Sequence, residues 1–93
     1  MTDLPLITIG ITAYNAADTI GPAVSSALAQ DWPNLEVVVV DDCSTDWTAD
    51  IVRAAIGGAP NARLIVHEVN GGPAAARNTV LQAARGKFVA FFD

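Results

Sequence analysis

The carboxylates of this chain gather where apolar runs end. Leu35-Glu36-Val37-Val38-Val39-Val40 leads straight into Asp41-Asp42, and Phe88-Val89-Ala90-Phe91-Phe92 leads into Asp93. A β-branched run of that kind suits a strand covered on both faces, as in a parallel sheet with helices on each side. Acids following such strands stand at the carboxyl edge of the sheet, where open α/β folds bind ligands. A carboxylate there can accept a hydrogen bond from a nucleobase N–H, or it can close a turn and cap a helix. Adjacent side chains point in different directions, so one acid of the Asp41-Asp42 pair can serve structure while the other faces a ligand.

Other groups with chemical capacity fall in the same positions after strands. Thr12-Ala13-Tyr14-Asn15 carries an aromatic ring able to stack on a base, and Asn70-Gly71-Gly72-Pro73 precedes a helical pattern. Gly71 and Gly72 allow close backbone approach and offer free N–H groups, which makes them either a seat for phosphate oxygens or an ordinary loop and cap. Arg77, one helical turn beyond Pro73, can reach a phosphate, pair with a strand-end acid, or stay in solvent; Asn78 beside it can bond loop backbone. His67 has no second histidine or cysteine at ligand spacing and reads as a strand-end residue without catalytic duty. Trp32 and Trp47 stand at helix ends and read as packing.

The elements that must position these groups alternate. Strand one is expected over Leu6–Ile11. A helix follows over Ala16–Gln30, regular from Thr19 or Ile20 so that Pro22 falls in its first turn. Strand two runs Leu35–Val40, and a second helix over Trp47–Ala55 has Ser44, Thr45 and Asp46 as candidate caps and turns Ile51, Val52 and Ala55 inward. Strand three is Ala62–His67. Pro73 opens a third helix through Ala84 with Gly86 as its C-terminal cap, and strand four is Phe88–Phe92. Strand and helix at this pitch imply right-handed βαβ units, hence an α/β fold with a Rossmann-like parallel sheet of spatial order 3-2-1-4 and helices on both faces.

Composition narrows the partners. At 93 residues the chain makes one domain at most, with a 52% apolar fraction ample for a core. A net charge of −5 with 16% charged residues lacks the basic surface that nucleic acid demands. The apolar stretches are strand-sized, well short of the ~20 residues needed to span a bilayer, and the amino terminus has no basic-then-apolar signal pattern. The expected setting is therefore cytoplasmic. Cys43, the sole cysteine, permits no internal disulfide and no thiol zinc cluster.

Taken in order, Thr8-Ile9-Gly10-Ile11-Thr12-Ala13-Tyr14-Asn15, Val38-Val39-Val40-Asp41-Asp42-Cys43-Ser44-Thr45-Asp46 and Asn70-Gly71-Gly72-Pro73-Ala74-Ala75-Ala76-Arg77-Asn78, with Ala84 through Asp93, resemble the opening motifs of glycosyltransferase family 2, of GT-A fold. The resemblance covers nearly all of residues 1–93 and implies the N-terminal, nucleotide-binding part of such a domain. It implies that Thr12, Ala13, Tyr14 and Asp42 hold the base of a nucleotide-sugar donor, with a UDP-sugar the expected one. It further implies that Asp93 opens an Asp-x-Asp motif, whose first acid approaches the ribose and whose last binds a divalent metal, Mg or Mn. On that reading the metal ligand, the acceptor site and the catalytic base belong to the full-length enzyme beyond Asp93, and no catalytic or metal-binding residue lies within residues 1–93. The full-length protein would transfer a sugar to an acceptor hydroxyl, in the cytoplasm or at the cytoplasmic face of the membrane.

Rival readings fare less well. A dinucleotide-binding enzyme would place Gly-x-Gly-x-x-Gly after strand one, where Thr12-Ala13-Tyr14-Asn15 stands. A non-catalytic phospho-receiver-like module would carry its acidic pair after the first strand, whereas here the pair follows the second. Strand four, rich in phenylalanine, is expected to expose Phe88, Phe91 or Phe92 and a free edge, so that the chain associates into a homo-oligomer through Phe88–Asp93.

Overall fold

The computed structural model describes residues 4–92. In chain order the elements are β1 (Ile7–Ala13), α1 (Ile20–Leu28), β2 (Leu35–Asp41), α2 (Thr48–Ile56), β3 (Ala62–Val66), α3 (Pro73–Ala83) and β4 (Phe88–Phe92). The four strands form one parallel sheet in the order β3-β2-β1-β4. Asp93, the expected ribose-binding acid, lies outside the described residues.

The valine run of β2 explains the layers. Side chains alternate across a strand, so Val37 and Val39 join a core with Ile20, Val24, Ala27 and Val52 of α1 and α2. Val38 and Val40 meet Ala76 and Val80 of α3 on the other face. All four valines are fully buried, as a strand covered on both sides requires. Gly10 of β1 lets α3 approach the sheet: a Cβ there would stand 2.5 Å from Val80 Cγ1 and 3.1 Å from Phe91 Cε1. Absence of a side chain at residue 10 therefore sets how deeply α3 beds on the sheet.

Most boundaries fall within a residue or two of expectation, and three differences have physical causes. First, β1 continues to Ala13 because Ala13 pairs with Asp41 and its carbonyl accepts the Asp42 N–H at 2.9 Å. Second, Gly86 does not cap α3. Ala84 ends the helix in extended conformation, φ −63° and ψ 133°, while Gly86 passes so close to β1 that a Cβ would meet Thr8 Oγ1 at 2.5 Å. Third, Trp47 does not pack: it is 72% exposed. Trp32, by contrast, is half-buried and its Nε1 donates to the Pro5 carbonyl at 2.9 Å. At α2 it is Asp46, among the three expected candidates, that receives the N–H of Thr48 at 2.9 Å.

At the amino-terminal edge of the sheet, Glu36 ties β1, β2 and the segment before β4 together. Its carboxylate accepts from Thr8 Oγ1 at 2.6 Å and from the Arg85 N–H at 2.7 Å, with Arg63 Nη2 at 3.5 Å. Burial alone would raise this carboxyl; the hydrogen bonds and the Arg63 charge outweigh it and hold it below the ordinary glutamate value.

Candidate functional site

Parallel pairing brings every β-to-α loop to the same edge of the sheet. The main chain locks them together there: the His67 N–H donates to the Asp41 carbonyl at 2.8 Å, beside the Asp42 to Ala13 bond. The loops after β1 and β2 also interlock through side chains. Asn15 N–H donates to Ser44 Oγ at 2.9 Å, and the Thr45 N–H donates to Asn15 Oδ1 at 2.8 Å. Ala16 N–H donates to Thr48 Oγ1 at 2.9 Å, and Ala17 N–H to Asp46 Oδ2 at 3.3 Å. Asn15 adopts φ 49°, a left-handed conformation that asparagine tolerates.

The two adjacent acids point to different partners. Asp41 is 2% exposed and turns back on its own loop, accepting from the Ser44 hydroxyl and from the Ser44 N–H at 3.3 Å. Asp42 reaches instead to the loop before α3. Its Oδ1 accepts the Gly71 N–H at 2.9 Å and lies 2.8 Å from His67 Nδ1, and its Oδ2 accepts the Gly72 N–H at 2.8 Å. The Asn70 amide adds a bond to the Asp42 carbonyl at 3.1 Å. The Gly71 N–H first, then the His67 bond and the Gly72 N–H, hold the Asp42 carboxyl below its ordinary value against the opposing effect of burial. Asp42 is thus an anion set against the amino-terminal end of α3, where the helix dipole favours negative charge.

Above this carboxylate opens a cleft of about 380 Å³, lined by Thr12, Ala13, Tyr14 and Asp42 on one side and by Asn70, Gly72, Pro73 and Ala76 on the other. Its size falls in the range of small-molecule sites. Tyr14 is 51% exposed, leaving its ring accessible to a ligand. Thr12, Ala13, Tyr14, Asp42 and Gly72, all named from the sequence, therefore come together. Gly71 touches the site through Asp42. Arg77 is not among the lining residues; its guanidinium lies 5.2 Å from the centroid of the Phe91 ring.

One expectation is corrected. The N–H groups of Gly71 and Gly72 are not free to cradle phosphate, because the Asp42 carboxylate already accepts both. Gly72 is nonetheless required to be glycine by its φ of 90°. His67, which reads from the sequence as a strand-end residue without catalytic duty, bridges Asp42 to Thr79 of α3, with Nε2 2.7 Å from Thr79 Oγ1. The signal was available in the register: Val66 pairs with Asp41, so the next residue of each strand must emerge side by side.

Among the described residues no group of three or more His, Cys, Asp or Glu side chains is placed to hold a metal ion. These residues do not by themselves fit a divalent cation.

Comparison with known proteins places this geometry among sugar-transferring enzymes. Residues 8–93 match the family model described as glycosyl transferase family 2. The chain is 51% identical over 90 residues to the succinoglycan biosynthesis protein ExoO of Rhizobium meliloti, covering 97% of this chain and 25% of that protein. It is 42% identical to the putative teichuronic acid biosynthesis glycosyltransferase TuaG of Bacillus subtilis, covering 96% of this chain and 35% of that one. Among solved structures, the mannosyltransferase PcManGT of Pyrobaculum calidifontis, in complex with GDP-Man and Mn2+, superposes with a TM-score of 0.85 at 37% identity, over 95% of this chain and 27% of that one. TarS residues 1–349 of S. aureus, in complex with UDP, gives 0.82 at 40% identity, over 95% and 27%. The chain thus spans about a quarter to a third of the length of these proteins.

Proposed function

The chain belongs to glycosyltransferase family 2, and on that premise we propose that its cleft receives the base of a uridine nucleotide-sugar donor. One observation carries this reading: Asp42 is an ionised carboxylate lining the cleft, with a single acceptor position left open by the described residues. A carboxylate oxygen has two lone pairs. Among the described residues, Oδ1 already meets two donors, Gly71 N–H and His67 Nδ1, whereas Oδ2 meets only the Gly72 N–H. Uracil offers one N–H, at N3, and matches that vacancy. Guanine offers neighbouring N1–H and N2–H donors that favour two open oxygens, and cytosine has no ring N–H, setting its N4 amino donor beside an N3 acceptor that a carboxylate repels. Tyr14 stacks on the base, and Thr12 and Ala13 form the wall beside it.

In the whole protein this donor would pass its sugar to an acceptor hydroxyl in the cytoplasm. Asp93 would approach the ribose, and the divalent metal would be held by residues other than those described. Gly71 and Gly72 serve by clamping Asp42; Arg77 has no part in this reading, since it does not line the cleft. No helix among the described residues is long and apolar enough to cross a membrane. A second proposal, homo-oligomerisation through β4, is supported by its position at the sheet edge and by Phe88, which is 56% exposed.

NMR titration of the chain with UMP, CMP and GMP tests the base assignment. UMP is expected to shift the amides of Tyr14, Asp42 and Asn70 and to bind about tenfold more tightly than CMP, the discrimination one hydrogen bond to a carboxylate supplies. Asp42→Ala should abolish the preference. Equal binding of UMP and CMP by the wild-type chain would remove Asp42 from base recognition.

A further inference from the structure

We propose that His67 is a positioning residue that makes the cleft selective for a one-donor base: by filling Oδ1 of Asp42, it leaves only Oδ2 open to the ligand. The inference rests on the nucleotide reading above and extends it to a residue outside the cleft lining. His67 follows β3, with its side chain 18% exposed. Because Asp42 is ionised and can only accept, the proton of the short contact belongs to Nδ1. At the other end of the ring, Nε2 meets Thr79 Oγ1 at 2.7 Å, and that hydroxyl lies on α3 within 3.1 Å of the Ala75 carbonyl. Both ring nitrogens are engaged, so the imidazole is held at one end by the carboxylate and at the other by a helix.

This tether matters because the terminal torsion of an aspartate is broad and roughly two-fold. With Gly71 and His67 on Oδ1 and Gly72 on Oδ2, the two oxygens are unlike, and their accounting favours uracil. Without His67 each oxygen would carry one backbone donor and one open lone pair. The carboxylate would then present the symmetric, two-oxygen edge that guanine's paired donors can use. Loss of His67 is thus expected to do more than weaken binding: it should move the preference between bases, which a merely structural residue would not.

The experiment compares His67→Asn and His67→Gln in the chain, with UMP and GMP affinities read by NMR titration and folding checked by thermal denaturation. An asparagine amide takes the place of Nδ1 and keeps a donor on Asp42; a glutamine amide takes the place of Nε2, reaching Thr79 and leaving Oδ1 open. The wild-type chain and His67→Asn are expected to favour UMP over GMP by about tenfold, and His67→Gln to bring the two within about threefold. A His67→Gln chain that keeps the wild-type UMP to GMP ratio overturns the proposal while leaving the nucleotide reading intact. A wild-type chain that binds neither nucleotide overturns that reading and this role with it. If His67→Gln does not fold, Thr79→Val, which frees the far end of the ring, takes its place: a ratio lowered by about threefold supports the tether, and an unchanged ratio overturns it.

Discussion

Gly10→Ala is the most sensitive probe of how the fold positions the site. The new Cβ would stand 2.5 Å from Val80 Cγ1, on a fully buried side chain, and 3.1 Å from Phe91 Cε1. Val80 cannot withdraw freely, since it projects from α3 into a core with Val38 and Val40 of β2. Overpacking of this kind costs about 1–3 kcal/mol, offset by about 0.4–1 kcal/mol from the lower entropy of the unfolded alanine chain. Val80→Ala removes two buried methyl groups, at about 0.8 kcal/mol each before the cavity is counted, for a loss of about 2–3 kcal/mol. In the double variant the added methyl occupies space that Val80 Cγ1 vacates, so the combined loss should be smaller than that of Val80→Ala alone. Urea unfolding followed by tryptophan fluorescence measures all four proteins, whose total stability is expected at about 5–14 kcal/mol for this length. UMP affinity should fall in Gly10→Ala and recover in the double variant, because α3 follows directly on the Gly71-Gly72 loop whose N–H groups clamp Asp42. Single effects that add to within about 0.5 kcal/mol would refute the contact and the argument built on it.

Three further outcomes follow from the same geometry. The carboxyls of Asp42, Glu36 and Asp46 are all held below their ordinary values, Asp46 chiefly by the Thr48 hydroxyl; groups depressed in the folded state contribute stability above the unfolded pKa and lose it as pH falls through the folded value. The urea midpoint should therefore drop as pH goes from about 5 to 3, and a midpoint constant over that window would contradict the assigned hydrogen bonds. Asn15→Ala removes the acceptor of the Thr45 N–H at 2.8 Å and releases the loop of β1 from that of β2. It should cost about 1 kcal/mol in urea unfolding and broaden the Tyr14 amide resonance; unaltered loop resonances would show that the interlock is not what orders the cleft. Phe88→Glu, at a side chain 56% exposed on the edge strand, should abolish concentration-dependent association in light scattering while leaving the thermal midpoint nearly unchanged. A wild-type chain that is monomeric at millimolar concentration would dismiss association through β4.

The parts of this protein that were legible in the sequence are those encoded by local pattern. The unbroken valines of β2 announced burial on both faces, Pro22 marked the first turn of α1, and the repeated strand-to-helix alternation implied a parallel sheet whose loops converge. From that convergence the membership of the cleft followed, since Thr12, Ala13, Tyr14, Asp42 and Gly72 each stand at the carboxyl end of a strand or the start of a helix. What the tertiary structure alone decided was the partner of each polar group. Asp41 and Asp42 are chemically identical neighbours, and only the approach of the Gly71-Gly72 loop, 29 and 30 residues along the chain, turns the second into the clamped anion of the cleft. The same approach occupies the glycine N–H groups that looked open to phosphate. His67 gains its two partners across 25 and 12 residues, and Gly86 is glycine for the sake of Thr8 at the far end of the chain. Hydrophobic periodicity is written residue by residue into a helix or strand, but a hydrogen bond is satisfied by whichever group the folded sheet brings within about 3 Å, and that choice does not exist until the strands have paired.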